Sequence, residues 1–98
     1  MQKTGKDRQE AAETLALQAL SWIAGNEEVF PVFLASTGAS AAEIAVDAAK
    51  PEFLASVMDF LLSDDVWIAG FCDATDLPYG APLLARAALP GGEQINWT

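Results

Sequence analysis

The side chains that can do chemistry in this 98-residue sequence are mostly carboxylates: fourteen Asp and Glu, with one cysteine, one tyrosine and no histidine. Without an imidazole, neither a Ser-His-acid nor a Cys-His nucleophilic arrangement can be assembled. The commonest metal ligand and the usual proton shuttle near neutral pH are missing too. The glycines at 25, 38, 70, 80, 91 and 92 fit neither spacing of a phosphate-cradling loop. Paired carboxylates remain. Glu27 with Glu28, and Asp64 with Asp65, can raise one another's pKa, but each pair reads as the first turn of a helix, where the helix dipole stabilises negative charge. The densest acidic patch is Asp59, Asp64, Asp65, Asp73 and Asp76. A hard cation would need three or more of these to converge within ~2.0–2.6 Å, and the EF-hand spacing is absent, so a solvated acidic surface is the simpler reading. No catalytic, cofactor-binding or metal residue is assigned. Cys72, beside Phe71 and with no base near it in sequence, reads as a small core residue rather than a reactive thiol.

These residues must be positioned by helices, because no strand pattern appears. Residues 7–25 place Glu10, Thr14, Gln18, Ser21 and Gly25 at spacings of four, four, three and four, with nearly everything between them apolar. That narrow polar stripe predicts a central helix with Leu15, Leu17, Leu20, Trp22 and Ile23 at the heart of the domain and Gly25 as its C-cap. Asn26 is expected to cap a second helix to about Thr37, kinked or started late by Pro31 and ended by Gly38. Ser40 with Glu43 reads as a capping box for a short helix to Ala49. Pro51 fits the first position of a fourth helix over 51–62. Ser63 is expected to cap a fifth, ending near Thr75. Asp76 and Pro78 start a sixth, firm over 83–89, and Pro90, Gly91 and Gly92 stop it. The expected core is Leu15, Leu20, Trp22, Ile23, Phe33, Leu34, Leu54, Val57, Phe60, Leu61 and Phe71. The fold class is all-α: a compact bundle of five to six short helices in a single domain over 1–98, with 1–6 as a flexible N-terminus and 93–98 as a tail.

A duplication shows in the polarity pattern. TLALQALSWIAG (14–25) and EFLASVMDFLLS (52–63) lie 38 residues apart and place polar or small residues at the same four positions and apolar residues at the same eight. The implied architecture is two helical trios, 7–49 and 51–89, related by an approximate two-fold axis. The aromatics follow this frame. Trp22 and Phe60 occupy matching positions and read as core. Trp67 and Phe30 sit early in the helices that follow and divide between core and surface. Trp97 lies beyond the last helix stop, where it docks on its own domain, meets a partner or stays free.

Charge narrows the functions. Residues 9–98 hold thirteen acids against only Lys50 and Arg86, within a net charge of −9 for the chain. Two scattered bases cannot displace counterions from a phosphate backbone, which argues against nucleic acid, and the same field repels an anionic membrane. The longest uncharged stretch, 29–42, is too short to span a bilayer. The basic N-terminal residues are followed by no apolar signal segment, and one cysteine excludes an internal disulfide and fits a reducing cytoplasm.

LALQALSWIA, FLASTG, FLASVMDFLLSD and RAALPGG, in this order, resemble the mainly alphaproteobacterial family called domain of unknown function 3572, over residues 11–92. The resemblance implies a bacterial, cytoplasmic, stand-alone helical domain and supplies no activity, catalytic residue or ligand. The function expected is a non-enzymatic protein-protein interaction module with no cofactor, engaging an unknown protein, a basic one among the candidates, or forming a homodimer. Its candidate surface is Trp67, Asp64, Asp65, Asp73, Asp76 and Trp97. The alternative is a small molecule or divalent metal held in a cleft between the two trios by acids near Asp64 and Asp73.

Overall fold

The computed structural model describes residues 5–92. Among these, six α-helices run in the order α1 (Gly5–Ala24), α2 (Phe30–Thr37), α3 (Ile44–Asp47), α4 (Pro51–Leu62), α5 (Asp65–Thr75) and α6 (Ala81–Ala87), with a 3-10 turn (Ala41–Glu43) leading into α3. No strand occurs among the described residues, and the fold is an all-α bundle.

Helices α1, α4 and α6 pack on one another and enclose most of the core, while α5 rests chiefly on α4 and α2 spans α1 and α4. Ile23, Phe33, Val57, Met58, Leu61, Phe71 and Cys72 have no exposed surface. Phe33 is the aromatic hub: its ring meets Phe53 edge-on at 6.1 Å and Phe60 edge-on at 5.2 Å. Edge-to-face contacts of this kind bring the positive ring edge to the negative face of its neighbour. A further ring contact ties α5 to α1, with Trp22 edge-on to Phe71 at 6.3 Å. A Cβ at Gly70 would lie 2.9 Å from Trp22 Cζ2, so the close seating of α5 on this indole requires the glycine.

The buried face of α1 differs from the expected one. Ala12, Ala16, Ala19, Leu20 and Ile23 face inward, whereas Leu17 is 45% exposed. The apolar-rich pattern could not rank alanine against leucine, and the partners that press on α1 chose the face that permits close approach. Leu15, Trp22 and Leu34 are half-buried and pack against the core; the other expected core residues are buried.

Several helix ends are also corrected. Asn26 Oδ1 accepts from the backbone N–H groups of Glu28 and Val29, capping a turn, and α2 starts late at Phe30 with Pro31 in its first turn. Gly25 closes α1 as expected, its N–H donating to the Ser21 carbonyl at 3.0 Å, though without a left-handed φ. Ser40 makes no capping bond, so the expected capping box yields only the 3-10 turn and four helical residues. Ser63 belongs to the end of α4, where its Oγ donates to the Phe60 carbonyl, and Asp64 caps α5 by accepting from Val66 N–H at 2.8 Å. A carboxylate there gains from the dipole as well as the bond. Asp76 does not start α6; it closes α5 in the left-handed conformation, φ 60°. Pro51 heads α4 as expected, and Gly38 ends α2.

The duplicated pattern carries over into burial within the two central helices. Ala16 and Leu54, Ala19 and Val57, Leu20 and Met58, and Ile23 and Leu61 are buried in matching pairs, and the four matching polar positions are exposed in both. Beyond these helices the halves differ. Helix α6 packs on both α1 and α4, whereas α3 makes no comparably broad contact with either.

Phe33→Ala is expected to cost about 3–5 kcal/mol in urea unfolding, because it empties the aromatic hub. Leu17→Ala is expected to change stability by less than about 0.5 kcal/mol, as an exposed position should. A large loss at Leu17 would contradict the assigned face of α1.

Candidate functional site

The acids singled out from sequence do not converge. Asp64 and Asp65 flank the start of α5, and Asp73 and Asp76 lie at its other end. At 1.5 Å per residue, Asp65 and Asp76 are about 16 Å apart along the helix axis. Among the described residues no group of three or more carboxylate or thiol side chains could hold a metal ion. Asp59 is committed elsewhere: Arg86 Nε donates to its Oδ1 at 2.6 Å and Nη2 to its Oδ2 at 3.4 Å, while Nη1 donates to the Pro90 carbonyl at 3.0 Å. This forked contact joins α4, α6 and the turn after α6, and uses the planar guanidinium as a clamp.

Trp67 is half-buried and stacks on Phe60 with ring centroids 4.5 Å apart, so one face of its indole is covered by its own domain. Cys72 is fully buried, with Sγ 3.5 Å from the Pro78 carbonyl. Burial and the nearby Asp73 charge push its thiol pKa up, the reverse of what a nucleophilic thiolate needs. Trp97 lies outside the described residues.

Asp73 has a partner that sequence spacing did not reveal. Tyr79 Oη donates to Asp73 Oδ1 at 2.8 Å, bridging the end of α5 to the loop before α6. The hydrogen bond, followed by the Coulomb effect of the same carboxylate, raises the Tyr79 pKa by favouring the neutral phenol. Tyr79 is 58% exposed, and Leu83 and Leu84 in the first turn of α6 are 64% and 74% exposed. The loop after α5 and the first turn of α6 therefore leave large side chains in water, and Tyr79 among them touches Asp73.

Two concavities stand out among the described residues. A cleft of about 580 Å³ lies between residues 36–47 and α4, with Glu43, Asp47 and Asp59 around Phe53 and Phe60. It falls between the two halves of the chain, where a cleft was expected, but its acids are not those near Asp64 and Asp73. Asp47 holds Lys50 at 3.5 Å, a long contact with an exposed lysine. The second concavity is an apolar groove of about 390 Å³ between α1 and α6. Sequence reasoning missed it because its floor is alanine, which carries no distinctive pattern.

A family model described as protein of unknown function DUF3572 matches residues 9–92. The chain belongs to the DUF3572 family. No curated protein and no solved structure matches it. For this DUF3572 member the family assignment carries no activity, so the chemistry rests on its own residues. Among the described residues no helix is long and apolar enough to cross a membrane.

Tyr79 is the sole tyrosine, which makes its titration directly readable by tyrosinate absorbance. Its folded pKa is raised, so its contribution to stability is complete below the unfolded value near 10 and is lost as pH rises through the folded value. Asp73→Asn is expected to move the Tyr79 titration of the DUF3572 chain to lower pH. An unmoved titration would mean the phenol–carboxylate bond is not formed in solution.

Proposed function

We propose that this DUF3572 member is a non-enzymatic protein interaction module that acts in the bacterial cytoplasm. Its docking face is the junction of α5 and α6. The observation that carries this reading is the exposure of Tyr79, Leu83 and Leu84 within a short stretch of chain, with Tyr79 bonded to Asp73. Neighbouring apolar side chains left in water favour association, and the adjoining carboxylates select its charge. The partner that fits is a protein segment with apolar residues flanked by Lys or Arg. Asp64 and Asp65 lie at the far end of α5 and Trp67 is covered by Phe60, so the docking face is narrower than the surface drawn from sequence.

The test is a photo-crosslinking residue at position 83 in the full chain, expressed in native bacterial cells. The expected result is an adduct to a basic segment that is lost in Asp73→Asn/Asp76→Asn and at ~0.5 M salt, where screening reaches within about 4 Å. The adduct is expected to persist in Asp64→Asn/Asp65→Asn. Adducts indifferent to the Asp73 and Asp76 substitutions, or none at all, would overturn the reading. An adduct of twice the chain's mass would replace the basic partner with a second copy.

A second reading draws on the cleft between residues 36–47 and α4. Glu43 beside the half-buried Phe53 ring suits an organic cation, which would combine charge pairing with attraction to an aromatic ring, while Asp47 and Asp59 in the same cleft already hold Lys50 and Arg86. A polyamine at a hundred times its dissociation constant would add ~2.7 kcal/mol of stability and raise the unfolding midpoint by several degrees. Glu43→Gln should abolish that rise. No rise with any polyamine in thermal unfolding removes this reading.

A further inference from the structure

The groove between α1 and α6 is shaped by two matching stripes of small residues. Its lining includes positions 8, 11, 12 and 15 on α1 and positions 81, 84, 85 and 88 on α6, each set at the three- and four-residue spacing of one helix face. Each stripe covers two helical turns, about 10 Å at 1.5 Å per residue. Buried Ala12 and Ala85 form the floor, and exposed Ala11 and Leu84 stand at the rims.

A trough of about 390 Å³ between helices falls in the size range of small-molecule sites. Apart from Arg8, alanine and leucine line it throughout. An occupant therefore meets no side chain that could hydrogen-bond its body and no aromatic ring on which a flat group could stack. Walls built mostly of methyl groups fit a thin, unbranched hydrocarbon. Arg8 opens the α1 stripe, which puts the single charge of the lining at one end of the apolar run. Among the described residues Arg8 has no carboxylate partner. Its guanidinium presents N–H donors in a fork that matches a carboxylate. The chain's net charge of −9 acts against an anion at a distance, but salt at about 0.15 M screens that field beyond about 8 Å and leaves the head group to the guanidinium.

We propose that the α1–α6 groove binds a free, unbranched aliphatic monocarboxylate, its carboxylate on Arg8 and its chain between the alanines of α1 and α6. At about 3.8 Å for every three bonds of an extended chain, about eight carbons fill the trough beyond the head group. This inference stands apart from the interaction reading: Leu84 is the one residue they share, and the experiment leaves it unchanged.

NMR titrations of the full chain, followed at the alanine methyl groups, test it with hexanoate, octanoate, decanoate and dodecanoate. The expected result is saturable shifts at Ala11, Ala12, Ala85 and Ala88, with Kd tightening about two- to fourfold for each added methylene as far as decanoate and little beyond it. Octyltrimethylammonium should bind at least about tenfold more weakly than octanoate. Arg8→Gln should remove that difference and keep the dependence on chain length. Ala11→Glu, at an exposed rim position, should abolish the shifts while the urea midpoint stays that of the unmodified chain. Asp73→Asn/Asp76→Asn should leave the titrations as they are, so failure here and failure of the interaction reading are told apart. Shifts that do not saturate, equal affinity for octanoate and octyltrimethylammonium, or titrations indifferent to Ala11→Glu overturn the proposal. Shifts of the same methyl groups that grow with protein concentration in the ligand-free chain overturn it too, because they place a second copy in the groove.

Discussion

The close approach of α4 and α6 to α1 is the constraint on which the rest of this fold depends. It is made possible by alanine at positions 12, 16 and 19, which are 3%, 0% and 0% exposed. Helices meet at 8–10 Å according to the side chains between them, and alanine gives the short end of that range. Each alanine contributes little apolar area, so the larger residues of α4, α2 and α5 supply the bulk of the burial. Phe33, Phe60 and Phe71 do this around Met58 and Leu61. The arrangement also explains the α1–α6 groove, since alanines that permit contact at the floor leave nothing to fill the space above it.

The same geometry disperses the charge. With α1 and α4 largely inside, the carboxylates fall at helix ends and on outward faces, and no buried charged side chain occurs among the described residues. Asp64 caps, Asp59 clamps Arg86, and Asp73 receives Tyr79. Acids engaged in this way hold elements together. Leu83, Leu84 and Tyr79, which the small core had no room to cover, stay exposed.

Much of the fold was legible in local signals. Pro51 could only head a helix, Gly38 could end one without strain, and Cys72 lay among residues too apolar to be exposed. The failures were also local and have one cause. Ser40 and Glu43, Ser63, and Asp76 all have the right chemistry for a helix start, but hydroxyls and carboxylates serve turns and C-termini equally well. Which use prevails depends on where the neighbouring helix must go. Leu17 failed for the same reason in the core: apolar periodicity showed that α1 was mostly apolar, not which side α6 would press upon.

The sequence alone determined the all-α class, the central place of α1 and α4, the excess of acid, and the lack of an imidazole for catalysis. These follow from composition and from periodicities a few residues long, which any compact solution must respect. Only the tertiary structure decided that Asp59 belongs to Arg86, 27 residues away, that Asp73 belongs to Tyr79, and that the concavities lie over α4 and between α1 and α6. Such pairings depend on how helices cross. Crossing is set by side-chain volumes on faces that meet only once the chain has folded, and volume on an alanine-rich helix leaves almost no mark in the pattern of polar and apolar residues.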